Sequence, residues 1–512
     1  MDTPQDLGPE ESASTSVPEP ELSNPGIFID VDGIDRAELV LPYGYLAKIR
    51  NYLFSDTSKE YICHLLCGHT LIGGRLRLLA CYFAHPEPED YIEQTLASIR
   101  LDPAYDLALR KECRKQRLSL VDIHSHPFSS HAVAFSGVDD HDESLKAKYF
   151  DRNLPDSVFA SVVMGRNSQQ ARLFLRGSQG RRTRSVAMSI YSRDLPIGSN
   201  TETGDNVGGA FRGGRFDRQI RAFSAEGQAR LQTTKVGIVG VGGLGAGLAI
   251  GLARLGVRHF TLIDPDRAEP TNLNRLAGMT AVDASLRPLK IDLVARRITE
   301  IDGDATIDRC PWDIFQPSAW QRLRDQDLII AATDNHSTRL LLNSISHQYL
   351  VPLVSIGTLI RTRDGEFENG FGEVCTVLPG QPEPCLLCSQ AIDKAEAYYE
   401  LGPDANRREA FRRGYIEDYD APAPAVHHLN GVVTNLALVE IHNLICGFMP
   451  PRPHLHYSMV ERRVLSIEDE SVHCGVCSPD GLNFARGDQI DPVVNLFGRD
   501  KIGAEFSDAP GR

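Results

Sequence analysis

The chain is short of positive charge. Its 54 lysines and arginines face 68 acids, a formal net charge of −14 over 512 residues. The chain as a whole therefore repels a phosphate backbone, and nucleic acid is not expected as a partner. The deficit is partly local, because residues 1–24 hold six acids, four prolines and no Lys or Arg. Such a segment cannot bury enough apolar surface to offset its ordering entropy, so residues 1–26 read as a disordered acidic tail. Without a basic start and an apolar run it is no signal peptide. Gly-X-Y periods and heptad runs are missing, which excludes the fibrous classes. One uncharged stretch, Val236 to Ala253, carries seven glycines in eighteen residues. A strand, a tight turn and a helix explain it better than a membrane span, and no membrane partner is expected. Eleven cysteines is an odd count, and four of them form two CxxC pairs. That favours metal over disulfides in a reducing compartment, hence a cytoplasmic protein.

What is present suffices for two to four folded units. Ala37 to Leu41 reads as a strand and Tyr43 to Phe54 as an amphipathic helix, opening an α+β domain over residues 27–193. Residues 194–214, with six glycines among polar residues, have the composition of a flexible linker. Beyond them, apolar strands at Val236 to Val239, Phe260 to Ile263, Leu328 to Ala331 and Leu353 to Ile356 alternate with helical stretches. That alternation predicts an α/β class with a doubly wound, mostly parallel, Rossmann-like sheet over residues 211–480. Residues 481–512 are left as a C-terminal tail.

The segment from Leu120 to Pro127 reads as a strand ending in His124 and His126, whose i, i+2 spacing points both rings to one face. Ser136 then sits where it can cap a helix, with Asp139 in the first turn. Two imidazoles and a carboxylate make a three-ligand zinc site with one position open for water, the layout of a hydrolytic centre. HxHP, eight residues and SxxD resemble the JAMM (JAB/MPN) metallopeptidases, whose eukaryotic members cut ubiquitin off lysines. The resemblance implies a catalytic Zn held by His124, His126 and Asp139, with Ser136 in the site and a glutamate base from an earlier strand. Here that base is Glu60, eight residues before Gly68 where the family has seven.

Gly240-Val-Gly242-Gly243-Leu-Gly245 follows a strand and opens a helix, so the backbone can approach phosphates at a helix N-terminus. Asp264 ends the next strand, where an acid can bond ribose hydroxyls. NAD would fit equally well up to here. The groups that follow suit a triphosphate and its metal instead: Asp266, Asn272, Asn274, Arg275, Lys290, Asp334, Asn335 and Arg339. With Arg218 upstream, the pattern resembles the ubiquitin-activating and thiamine- or molybdopterin-carrier-activating adenylyltransferases over roughly residues 211–480. The resemblance implies ATP on the glycine loop, ribose on Asp264, triphosphate on Asn272, Arg275 and Lys290, and Mg on Asp334. It also implies an Arg218 that reaches the ATP of the other subunit of a homodimer.

Cys385, Cys388, Cys474 and Cys477 are two knuckles that complete a tetrahedral thiolate site for structural zinc. Residues 389–445 contain no cysteine, and Cys446 falls in an apolar helical stretch, so no stable thioester is expected on that segment. The expected whole is a fusion of peptidase and adenylating enzyme acting on one small ubiquitin-like carrier with a C-terminal glycine. It would pass the acyl group to a separate conjugating enzyme or sulfur donor. Sulfur-carrier activation without protein modification, and a scaffold without chemistry, stay open as alternatives.

Overall fold

The computed structural model describes residues 33–129, 132–175, 184–199, 214–363, 365–402, 424–467, 473–481 and 483–497, with Arg408 and Arg412. The expected acidic tail and most of the linker lie outside the described residues. The first unit is a closed barrel in the order β1-β3-β2-β6-β7-β8-β9. Its strands are β1 (Arg36–Leu41), β2 (Ile62–Ile72), β3 (Arg75–Ala84), β6 (Ser119–Ser125), β7 (Phe159–Met164), β8 (Gln169–Leu175) and β9 (Arg184–Ser192). A small hairpin, β4 (Tyr91–Gln94) and β5 (Ile99–Leu101), stands beside it. β6 is buried along its whole length because β2 runs antiparallel on one side and β7 parallel on the other.

The second unit is an eight-stranded sheet in the order β12-β11-β10-β13-β14-β15-β16-β17. Its strands are β10 (Lys235–Val239), β11 (His259–Ile263), β12 (Thr306–Cys310), β13 (Leu328–Ala331), β14 (Leu353–Arg363), β15 (Glu366–Val377), β16 (His454–Ser458) and β17 (Arg463–Ser466). The first five are parallel and the last three antiparallel, so the expected mostly parallel, doubly wound sheet is present. The chain goes outward from β10 to β12, then returns to start β13 on the other side of β10. That reversal opens a crevice at the carboxyl ends of β10 and β13, the usual place for a ligand in such sheets. Among the described residues one helix, His427–Cys446, is long and apolar enough to cross a membrane. Here it packs on the helix Gly243–Leu255 and on β14 and β15, with Val433 filling the space left by Gly372.

Residues 483–497, expected to belong to a tail, are instead a strap between the two units. Phe484 and Ala485 are fully buried, and Pro492–Phe497 is helical. Gly68 is required here, since a Cβ would lie 2.1 Å from the Ala485 carbonyl oxygen. The Asp488 carboxylate accepts hydrogen bonds from the Thr70 hydroxyl (2.9 Å) and Leu71 N–H (3.2 Å) of the barrel. It also accepts them from Arg324 (2.7 Å) and the Tyr349 hydroxyl (3.2 Å) of the sheet unit. Arg75 pairs with Asp325, which also holds Lys235 at the start of β10 (2.7 Å). The barrel thus docks at the amino ends of β10 and β13. Asp488→Ala would take this partner from the half-buried Arg324 and leave the donors from both units unsatisfied, at a cost of about 1–3 kcal/mol. We expect a lowered urea midpoint and unfolding of the two units that no longer coincides; an unchanged single transition would contradict this role.

Candidate active sites

At the carboxyl end of β6, His124 and His126 share one face of the strand. Ser136 caps the helix Gly137–Asn153 in a capping box: its hydroxyl accepts the Asp139 N–H, and the Asp139 carboxylate accepts the Ser136 N–H (2.6 Å). This fixes the carboxylate against the rings, with Asp139 Oδ1 3.3 Å from His124 Nε2 and Oδ2 3.8 Å from His126 Nε2. One ligand atom from each of the three residues falls within 4.8 Å of the others. His124 Nε2 is buried yet makes no well-formed hydrogen bond, the situation of a nitrogen whose partner is a cation. Donor set and geometry fit zinc.

The β2–β6 register, Ile62 opposite His124, continues outward to put Glu60 opposite His126. Its carboxylate lies 3.7 Å from His126 Nε2, so the eight-residue spacing to Gly68 does not displace it from the site. The backbone of Glu60 is clamped by the hairpin loop, its N–H donating to Thr95 O (2.8 Å) and its carbonyl accepting from Gln94 (3.0 Å). Burial pushes the Glu60 carboxyl up to about 7, against the attraction of His124. Burial also acts to raise Asp139, but the close contact and charge of His124 and the hydrogen bonds from Ser136 outweigh it and hold this carboxyl well below the usual range. A buried ion-pair cluster stands next to these residues on the strand and was not anticipated. Asp122, two residues before His124 on the same face, is buried between His64 Nδ1 (2.8 Å) and Lys146 Nζ (2.5 Å).

The four cysteines meet as expected. Their sulfurs are 3.7–3.8 Å apart along four edges, which suits a tetrahedron of about 2.3 Å metal–sulfur bonds. Asn343 donates to Cys385 Sγ (3.4 Å), a support the sequence did not reveal.

The glycine loop turns sharply at the end of β10. Gly240 has φ +84°, and a Cβ there would meet the Ala332 carbonyl oxygen at 2.7 Å. A Cβ on Gly245 would come within 1.9 Å of Gly240 O, so helix and loop can close only on glycine. Gly242 caps the helix Gly243–Leu255 without a side-chain bond and faces open space, leaving the first N–H groups for an anion. Asp264 is buried, accepting the N–H of Val241 (2.8 Å) and of Asp266 (2.8 Å). It therefore shapes the loop as well as standing where a ribose would come. Lys290 pairs with Asp266 at 2.6 Å, and Arg275 packs beside Gly243. Asn272 spends its side chain on the Glu269 N–H, which makes it a shaper of the 3-10 turn Pro270–Asn272. Asp334 and Asn335 are exposed beyond β13, and hard carboxylate oxygen suits magnesium. Arg218 is exposed on the helix Asp217–Phe223.

Two further residues complete this mouth and were not anticipated. Asn430 reaches Gly243 from the helix His427–Cys446, and Glu400 accepts the N–H groups of His336 (3.0 Å) and Ser337 (2.7 Å). Neither belongs to a local motif. Cys446 ends the long helix, half-buried against Gly227, with its thiol pushed up to about 11 by burial.

Residues 216–475 match the model of the ThiF family. The chain is 29% identical over 177 residues to the sulfur carrier protein ThiS adenylyltransferase of Bacillus subtilis, covering 34% of this chain and 50% of that protein. It is 31% identical over 176 residues to the molybdopterin-synthase adenylyltransferase of Escherichia coli, covering 34% and 66%. The chain spans about half the length of several of the curated relatives it matches, among them the adenylyltransferase and sulfurtransferase uba4 of Aspergillus niger at 52%. Among solved structures, E. coli MccB with ATP aligns at a TM-score of 0.41 and 18% identity, over 53% of this chain and 76% of that one. The match to the ThiF family takes in just over half of the 512 residues, from Phe216 to Gly475, and on it the chain belongs to that family.

Proposed function

We propose that the chain uses ATP and Mg to adenylate the C-terminal glycine of a small ubiquitin-like carrier. The observation that carries this is the glycine loop with open helix N–H groups, ringed by Arg275, Lys290 and Asp334. In the reaction a carboxylate oxygen of the glycine attacks the α-phosphorus. One P–O bond forms, the bond to the β-phosphate bridge breaks, and pyrophosphate leaves. The loop N–H groups, Arg275 and Lys290 neutralise the phosphates and align them, and Asp334 would hold the metal, which would supply further positive charge there. The sulfur-carrier activities named for the bacterial relatives favour a carrier that ends as a thiocarboxylate over one ligated to protein. Arg218, exposed and outside the loop, supports a homodimer in which it serves the neighbouring site. A separate sulfur donor or conjugating enzyme receives the acyl group, and the setting is the cytoplasm.

For the barrel we propose a JAMM-type zinc peptidase that trims or releases the same carrier, on the strength of the His124, His126 and Asp139 geometry. Zinc held there by His124, His126 and Asp139 would supply a water of lowered pKa. Glu60 stands where it would take up a proton and pass it to the leaving amine, and the Ser136 hydroxyl proton is left to face the carbonyl oxygen. The test is ATP–pyrophosphate exchange by the full chain with carriers that do or do not end in glycine. Exchange only with the glycine-ended carrier is expected. Absence of exchange with every carrier, in a protein that holds its zinc, would favour a scaffold.

A further inference from the structure

A third group of metal-ligating side chains lies outside both sites. Glu373 and Cys375 stand at i and i+2 on β15, so both side chains leave the same face, and the antiparallel register sets His454 of β16 directly opposite Cys375. Glu373 Oε1 lies 2.9 Å from His454 Nε2 and 3.1 Å from Cys375 Sγ, and one ligand atom from each residue falls within 4.8 Å of the others. Cys375 is 4% exposed, while the side chains of His454 and Glu373 are 12% and 27% exposed, so the group opens on one side.

We propose that Glu373, Cys375 and His454 bind a zinc ion. Thiolate, imidazole and carboxylate are the three donor kinds zinc takes, and a set mixing soft sulfur with harder donors disfavours calcium and magnesium. The donors stand somewhat closer than the 3.3–3.8 Å of the His124 and cysteine sites, so a metal would replace the hydrogen bonds that Glu373 now accepts from His454 and Cys375. Binding replaces the thiol proton, which goes to solvent, and involves no redox change. The site adjoins the adenylation mouth, since Glu373 pairs with Gly357 on β14. A Cβ on Gly357 would meet the Arg339 guanidinium at 2.6 Å, and Arg339 also bonds Thr333 O (3.0 Å) just before Asp334. Three ligands leave one position for a water or for a carboxylate or thiolate brought in by another chain.

The experiment is metal counting on the full chain, reconstituted with zinc, passed through metal-free buffer and checked for folding by circular dichroism. Three zinc ions per chain are expected in the wild type, and two in each of Cys375→Ser, His454→Gln and His124→Ala. A double variant of His124 and Cys375 should hold one. A wild type with two zincs that falls to one in His124→Ala, or a Cys375→Ser protein that keeps the wild-type count, would overturn the proposal. A wild-type count of three supports the site even if a variant fails to fold, and a count of two is assigned by whichever of Cys375→Ser and His454→Gln folds. Two zincs that stay two in His124→Ala but fall to one in Cys375→Ser would support this site and overturn the peptidase reading instead.

Discussion

Glu60→Gln should leave the zinc at the His124 site in place and slow cleavage of a carrier fusion by about 10²–10⁴-fold, the usual contribution of a positioned proton-transfer group. His124→Ala and Asp139→Asn should lose metal and cleavage together. The separation follows from the geometry. Glu60 comes from β2, is held by the β4–β5 hairpin through its backbone, and stands 3.7 Å from the ring of His126. Asp139 is tied to the rings by its cap. Glutamine keeps the shape and the backbone clamp but cannot accept the proton. Zinc content and initial rates measured on one preparation check this, and wild-type cleavage by the glutamine variant would remove Glu60 from the role.

The other large effect lies in the second unit. Asp334→Ala should abolish magnesium-dependent ATP–pyrophosphate exchange, a fall of at least about 10²-fold, comparable to losing one preorganised charge-stabilising group. Stability should move by no more than about 0.5 kcal/mol, as for surface changes. Asp334 is exposed, and among the described residues its carboxylate accepts no hydrogen bond. Asp264→Ala makes an instructive contrast, because that carboxylate holds two loop N–H groups and its loss would deform the loop and the nucleotide site together. Exchange persisting in Asp334→Ala, with the melting curve unchanged, would show that the metal is held elsewhere.

Much of this was legible because the signals are local. The i, i+2 histidines, the Ser136 cap, the glycine loop after β10 and the paired cysteines each lie within a few residues of one another, where strand and helix periodicity fixes direction. Glu60 was harder, because its place depends on a cross-strand register sixty residues away. Asn430, Glu400 and Asp122 escaped notice for the same reason: each is an isolated polar residue whose partner comes from a distant element. Residues 483–497 were misread as tail because their composition carries no periodic pattern. Their burial is created by the barrel on one side and the sheet on the other, and neither is visible in the segment itself.

The strap and the Asp325 pairs place the barrel against the amino ends of the parallel strands, while the glycine loop lies at their carboxyl ends. In the barrel, the docked end of β2 is the end away from His124. The glycine loop is therefore about one five-residue strand, roughly 17 Å, from the junction, and His124 is about eight residues of β2, roughly 27 Å, from it on the opposite side. A carrier tail would need about thirteen extended residues merely to cover those two lengths. If the two proposed activities act on one carrier, a carrier trimmed at the His124 site would let go before reaching the glycine loop, and the traffic between the two reactions would be set by carrier concentration, with free carrier competing on equal terms with carrier just released.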